Sequence, residues 1–262
     1  MLKVQPSRLL LALLSAVSLG VPALPGFPGA SPAAESGGCE TVHAPAGVSF
    51  QDCSGGGTFN ILPAGEGSNL NAASFASGQQ PAHWQDQWGM YANLKNVAPN
   101  LQAADLPSYY KSSAFGVAPD QVASREEPHA GTVIERDKQF GVPHIYGKTR
   151  YDTEFGAGYA AAEDRLFMMD TLRHVGRSQA SAFLGPSPSA LALDCSTARV
   201  AGYDEAELQQ QVDKVAAERP APFGNGLSEG QQVTADGQAY IDGINAFINQ
   251  ALRDPTKMPA EY

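Results

Sequence analysis

Titratable side chains crowd one part of this 262-residue sequence. His144 follows Pro143 in a short apolar run, Glu163, Asp164 and Arg165 are consecutive, and Asp170 is followed at three and four residues by Arg173 and His174. A histidine near carboxylates is the equipment of general acid–base catalysis. The spacing argues for quieter roles. Asp170 with Arg173 and His174 has the i,i+3 and i,i+4 separation of ordinary helix-face pairs. Asp164 and Arg165 suit charge-assisted hydrogen bonds that fix a helix in the body of the protein. His144 reads as a hydrogen-bonded strand histidine. Met168 and Met169 suit the lining of a pocket, but core filling is the commoner use of methionine. No residue here is assigned a catalytic, cofactor-binding or metal-binding role on its chemistry alone.

The elements that must position these residues lie between Gly131 and Gly185. Residues 131–147 read as a β-hairpin. Val133 and Glu135 alternate with Ile134 and Arg136, the chain turns through Lys138–Gly141, and Val142, His144 and Tyr146 alternate on the return. Pro143 cannot donate to a ladder, so the second strand belongs at an edge or turns that position outward. A long helix follows. Phe155, Tyr159, Ala162, Leu166, Met169 and Leu172 recur at three- and four-residue steps, the period of one helix face. Asp152 is the expected N-cap. Gly156 and Gly158 are poor helix formers, which points to another backbone packed closely against this first turn.

Beyond Gly185, residues 186–203 read as a loop containing a short apolar piece, Leu191–Leu193. Asp204-x-x-Glu207 is a capping box followed by Leu208, Val212 and Val215. Ser228-x-x-Gln231 repeats the pattern ahead of Val233, Tyr240, Ile244, Phe247, Ile248 and Ala251. Asp254–Pro255 ends that helix.

The first half differs in composition. Lys3 and Arg8 precede an apolar stretch, Leu9 to Leu24, and small residues follow, with cleavage expected after Ala33 or after Ala23. This is the pattern of a secretory signal peptide, assigned to residues 1–34, and it places the mature protein outside the cytoplasm. Residues 35–130 are cut by repeated turn signals and read as an irregular extension, with short helices expected near Leu70–Ala76 and Asp105–Lys111. Residues 131–262 form the third segment. In an oxidising compartment Cys39 and Cys53 are close enough to close a small loop, leaving Cys195 either buried and free or paired outside the chain. The net charge of −10 is spread along the sequence. It argues against nucleic acid and anionic membrane as partners once the leader is removed.

Several ordered blocks resemble the penicillin amidase family. They are Ile134–Glu135–Arg136–Asp137, Gly141–Val142–Pro143–His144–Ile145–Tyr146, Gly158–Tyr159, and Glu163–Asp164–Arg165–Leu166–Phe167–Met168–Met169–Asp170. Arg177, Ala182–Phe183–Leu184–Gly185 and Tyr240–Ile241–Asp242–Gly243–Ile244–Asn245–Ala246–Phe247–Ile248 continue the likeness, and Pro259-x-Glu261 closes it.

The resemblance implies an α+β fold: an αββα N-terminal-nucleophile hydrolase sandwich, incomplete here, with mainly helices and one hairpin. It implies a precursor that cuts itself before a serine, whose freed α-amine then serves as base for its own hydroxyl. The substrate would be a small acyl amide such as a β-lactam or an acyl-homoserine lactone. In the family the matched blocks begin the α chain, and the nucleophile follows them on a β-chain segment. That segment of the same precursor is the expected partner, and the chain by itself is expected to be inactive. Gly67–Ser68–Asn69 mimics the family's cut site but lies upstream of the α-chain blocks, so Ser68 reads as a turn residue. No cofactor is expected on this chain, while the complete enzyme allows a structural calcium. The alternative reading is a stand-alone secreted scaffold or binding protein, or a subunit that complements a separate β chain. Without partner strands the hairpin would present an open edge and the helices an apolar face, with poor solubility expected.

Overall fold

The computed structural model describes residues 40–45, 48–52, 59–60, 78, 88–112, 116–259 and 261–262. The apolar leader, the two cysteines Cys39 and Cys53 of the expected pairing, the expected helix near Leu70–Ala76 and Ser68 lie outside the described residues. In the first half, β1 (Glu40–Ala44) pairs antiparallel with β2 (Val48–Asp52), and β3 (Phe59–Asn60) pairs with β4 (Lys111–Ser112). Between them run α1 (Trp88–Val97), a helix not expected from the sequence, and α2 (Leu106–Tyr109) at the expected place.

The expected hairpin is present with a third strand added. β5 (Val122–His129), β6 (Thr132–Asp137) and β7 (Pro143–Gly147) form an antiparallel sheet in the order β5-β6-β7. β7, which starts at Pro143, is an edge strand. The β6–β7 turn is closed by the Asp137 carboxylate, which accepts hydrogen bonds from the Phe140 amide at 2.6 Å and the Val142 amide at 3.1 Å. Gly141 takes φ +65°, a left-handed conformation that glycine adopts without steric penalty. Central β6 is buried on both faces from Thr132 to Arg136.

The long helix α3 spans Arg150–Gly176. Its N-cap is Thr149, not Asp152. Thr149 Oγ1 accepts from the Asp152 amide at 3.2 Å, and Asp152 Oδ2 accepts from the Thr149 amide at 3.0 Å. The helix therefore starts three residues earlier than expected, in a capping box that satisfies two otherwise unpaired donors. At Arg165 the backbone leaves helical geometry (φ −145°, ψ 22°), and the Arg165 side chain donates to the Asp164 carbonyl at 2.7 Å. A side-chain donor taking a ladder carbonyl is an established cause of a helix kink.

α3 packs along α7 (Glu229–Ala251), which is capped by Ser228 and Gln231 as expected. Between them lies the core: Phe155, Tyr159, Ala162 and Leu166 from α3, Ile241, Ile244, Phe247, Ile248 and Ala251 from α7, and Ile134 from the sheet. Each large apolar side chain buried here contributes roughly 1.5–3 kcal/mol. The expected faces overreach at their ends. Met169 packs against the core, but Leu172 is 60% exposed and Val233 43%.

The chain between α3 and α7 is helical. α4 (Ala180–Leu184) precedes α5 (Pro188–Ala201), where the sequence suggested a loop. Ser187 caps α5 and Pro188 opens it, the favoured position for proline in a helix. The Asp194 carboxylate accepts from the amides of Ala180 and Ser181 and from the Ser181 hydroxyl, tying α5 to the start of α4. α6 (Glu205–Glu218) carries the expected Asp204–Glu207 capping box. Cys195 lies free and exposed on α5, so of the two expectations, burial as a free thiol or pairing outside the chain, the first does not hold. No helix among the described residues is long and apolar enough to cross a membrane.

Candidate functional site

The densest chemistry lies where β5, β6, α3 and the 3-10 turn Pro255–Lys257 meet. Arg136 reaches it from β6, with its side chain 4% exposed. Its Nη2 lies 2.7 Å from Glu163 Oε2 and 2.8 Å from Asp164 Oδ1, and its Nη1 donates to Asp164 Oδ2 at 3.2 Å and to the Gly141 carbonyl at 3.1 Å. Burial lowers the affinity of this guanidinium for its proton, but Asp164 and Glu163 more than offset that and the pKa is raised overall. Lys257 Nζ stands 3.6 Å from Glu163 Oε1.

Glu126, on β5, completes the group. It is hydrogen-bonded to Glu163, and its carboxyl is pushed up to about 7. Burial is the largest cause, followed by the charge of Glu163 and the hydrogen bond to it, while Lys257 and Arg136 pull the other way. The Tyr159 hydroxyl is hydrogen-bonded to the Gln250 side chain and to Glu126. Its pKa is raised by burial and by the charges of Glu126 and Glu163. Three carboxyl groups thus face two cations in a half-buried setting.

A second cluster sits about two to three turns further along α3. Asp170 Oδ1 lies 2.7 Å from Arg173 Nη2 and 3.4 Å from His174 Nδ1, the expected helix-face pairs. Asp170 Oδ2 also accepts from the Tyr262 hydroxyl at 2.9 Å, which anchors the described C-terminal residues to α3. The His174 ring stacks on Phe183 with centroids 4.0 Å apart and planes 6° apart. One His174 nitrogen is 2.8 Å from the Asp170 carbonyl and the other 3.0 Å from Arg173 Nη2, so both ring nitrogens are engaged.

The structure brings Glu163 and Asp164 together with Arg136, as charge-assisted bracing requires. Arg165 serves the kink. His144 lies apart, with Nε2 3.6 Å from Asp137 Oδ2. Met168 is 51% exposed and fills neither core nor pocket. A groove of about 390 Å³ between α4 and α5 is lined by Ala180, Leu184, Pro186, Ser187, Ala190 and Leu193, none of them titratable. Sequence reasoning missed Glu126 and Lys257. No local pattern marks either, because they meet Glu163 only through the tertiary fold. Among the described residues no group of three or more His, Cys, Asp or Glu side chains is arranged to hold a metal ion. The carboxylates of the first cluster are turned to Arg136 and Lys257 instead. What this arrangement does chemically is to hold charge and a proton in place; its cations and hydroxyls are already engaged within the cluster.

Comparison with known proteins gives three matches. The penicillin amidase family model matches residues 132–262, half of the chain. Penicillin G acylase of Escherichia coli is 28% identical over 171 residues, which cover 65% of this chain and 17% of that protein. The chain thus spans only a minor part of that relative's length. A solved thermostable Penicillin G acylase from Alcaligenes faecalis is 29% identical, with 53% of this chain and 61% of that chain covered and a TM-score of 0.38.

Proposed function

Because the chain belongs to the penicillin amidase family, we propose that it is the N-terminal, α-chain part of a secreted hydrolase that removes an acyl group from an amide. The observation that carries this reading is the family match over residues 132–262, joined to the way its blocks meet in space. The β6 block supplies Arg136, the α3 block supplies Glu163 and Asp164, and the α7 block supplies the core that holds α3 in place. The matched residues act as scaffold rather than as reacting groups.

The complete enzyme is then an N-terminal-nucleophile hydrolase with an αββα sandwich. A β-chain segment of the same precursor brings the serine whose α-amine activates its own hydroxyl, a sound pairing because an α-amine titrates near neutrality. The substrate is a small acyl amide, of the β-lactam or acyl-homoserine lactone kind. The 262 residues alone hold the scaffold without turnover. A structural calcium, where the complete enzyme uses one, is held outside the two clusters described here.

The test is hydrolysis of a chromogenic acyl amide by the purified 262-residue chain, alone and mixed with a β-chain segment encoded downstream or in a neighbouring frame. No turnover alone and turnover on mixing is the expected result. Robust turnover by the chain alone overturns the reading, and a folded chain with no β-chain segment encoded nearby favours the stand-alone scaffold instead.

A further inference from the structure

The two outer edges of the three-stranded sheet are unlike. β5 carries Arg125 paired with Glu127 at 3.0 Å, a proline at position 128, and register shifts on both sides of Glu126. Charge, proline and bulges are the features that keep an edge strand from recruiting another strand. β7 reads Pro143–His144–Ile145–Tyr146–Gly147, without Lys, Arg, Asp or Glu. Its register on β6 is unbroken from the Thr132 and Gly147 pair to the Arg136 and Pro143 pair. Among the described residues no strand pairs with its outer side.

The register fixes which backbone groups that side offers. The Asp137 amide donates to the Val142 carbonyl at 3.2 Å, and the Lys148 amide donates to the Gly131 carbonyl at 2.9 Å. Bonded and non-bonded pairs alternate along an antiparallel ladder, so Glu135 with His144 and Val133 with Tyr146 are the bonded pairs between those two contacts. Pro143, Ile145 and Gly147 therefore turn their backbone groups away from β6. Pro143, which has no amide hydrogen, blocks only the first outward position. The amides of Ile145 and Gly147 and the carbonyls of Pro143 and Ile145 form a row that a further strand can pair with. The row is held ready. Ile145 packs against the core, and a Cβ on Gly156 of α3 would lie 2.6 Å from Ile145 Cγ2. A strand added here meets a rigid edge and does not have to order it, which favours binding.

We propose that the outer edge of β7 is a strand-acceptor site and that its occupant is an extended stretch of the β-chain segment, paired through the backbone of Ile145 and Gly147. The proposal rests on the α-chain reading above. Recognition is by main-chain hydrogen bonds, as in other strand additions, with an apolar side chain beside Ile145 on the face turned to α3. Size favours this occupant over a second copy. Five residues of strand run only about 17 Å. Two copies that share this edge alone fall short of the roughly 1,200 Å² that a stable interface buries. A segment of the same precursor adds contacts elsewhere, and the matched residues cover only 17% of the Escherichia coli relative, so most of that protein's length lies outside the match. β5, drawn from residues ahead of the family match at 132–262, already fills the other side of β6, which leaves β7 as the side where the sheet can grow.

The experiment is amide hydrogen exchange of the full 262-residue chain, read residue by residue by mass spectrometry with electron-transfer fragmentation. The chain is measured alone at several concentrations and then saturated with the β-chain segment encoded downstream or in a neighbouring frame. Alone, Ile145 and Gly147 should exchange roughly tenfold or more faster than His144 and Tyr146, whose amides are bonded to β6. With the segment bound, that contrast within one strand should vanish. Using the contrast separates pairing at the edge from a general gain in stability, which slows all four amides together. Association and turnover with the contrast intact overturn the edge and leave the α-chain reading standing. Failure of any β-chain segment to associate overturns both. A contrast that is absent in the isolated chain and returns on dilution makes a second copy the occupant, and one absent at every concentration shows that the edge is not open; either result overturns the proposal.

Discussion

Arg136 Nη2 lies 2.8 Å from Asp164 Oδ1, and its Nη1 lies 3.2 Å from Oδ2 of the same carboxylate. This fork ties the central strand to the long helix at the kink of α3, across 28 residues of sequence. Buried ion pairs add little net stability, but removing one partner leaves the other charge uncompensated. Arg136→Met should therefore cost about 3–5 kcal/mol in urea unfolding. Arg136→Lys should recover only part of that, because an ammonium cannot reproduce the planar fork. A loss below about 1 kcal/mol for Arg136→Met would show that the brace does not hold the two elements together.

The crossing of α3 and α7 depends on two glycines. A Cβ on Gly158 would lie 1.9 Å from the Tyr240 carbonyl oxygen, and a Cβ on Gly243 would lie 1.9 Å from the Phe155 carbonyl oxygen. Both obstacles are backbone and cannot swing aside. Gly158→Ala and Gly243→Ala should each cost about 1–3 kcal/mol or more through forced separation of the helices. The two share one contact, so the double variant should cost less than the sum. Thermal or urea unfolding of the three variants decides the point, and strict additivity would mean that the sites do not share a crossing.

Local signals were readable and tertiary ones were not. The capping boxes at Asp204–Glu207 and Ser228–Gln231 could be read because each is complete within four residues. Gly158 announced a close backbone contact because glycine in a helix calls for a packing reason. Helix α5 was missed because it buries no residue and so shows no apolar stripe. Strand β5 was missed because Val122–His129 is charged and contains Pro128, and its strand character comes from pairing with β6. The expected face ran past its contact at Leu172 because periodicity marks a helix side, not the length of side that a neighbour covers. Within the candidate site, Glu163 and Asp164 stood out as a charged pair in a helical pattern. Glu126 and Lys257 carried no signal, since only folding brings them to Glu163.

Acid stability has a separate local contributor. Asp236 accepts two hydrogen bonds of 2.7 Å from Arg150 and one of 2.6 Å from Gln232. Burial raises its pKa, but these hydrogen bonds outweigh burial and hold it below the ordinary carboxylate value. A carboxyl with a lowered folded pKa stabilises above its ordinary value, and that contribution is lost as pH falls through the folded pKa. Arg150 is 53% exposed, so solvent screening keeps the contribution to about 1 kcal/mol or less. Asp236→Asn should lower the unfolding midpoint slightly at neutral pH, and the two curves should converge as pH falls below the ordinary carboxylate value. A deficit that persists unchanged into acid would assign the loss to packing rather than to charge.

Met168 and Leu172 are one turn apart on α3 and lie 51% and 60% exposed. Residues four apart on a helix share a face, so the two make a continuous apolar strip on the far half of the helix. Neither belongs to the core that α3 forms with α7. Under the proposed α-chain reading this exposed strip is surface available to the β-chain segment, whereas the buried face serves the fold of the chain itself. Leu172→Gln should then leave the unfolding midpoint of the 262-residue chain within about 0.5 kcal/mol of the wild type, as exposed substitutions do. Its solubility should rise, because a smaller apolar patch drives less self-association. Assembly with the β-chain segment should weaken. Leu166→Ala, in the core, provides the contrast and should cost about 2–5 kcal/mol. A midpoint loss for Leu172→Gln as large as that of Leu166→Ala would place Leu172 inside the packed body and withdraw the strip from any interface.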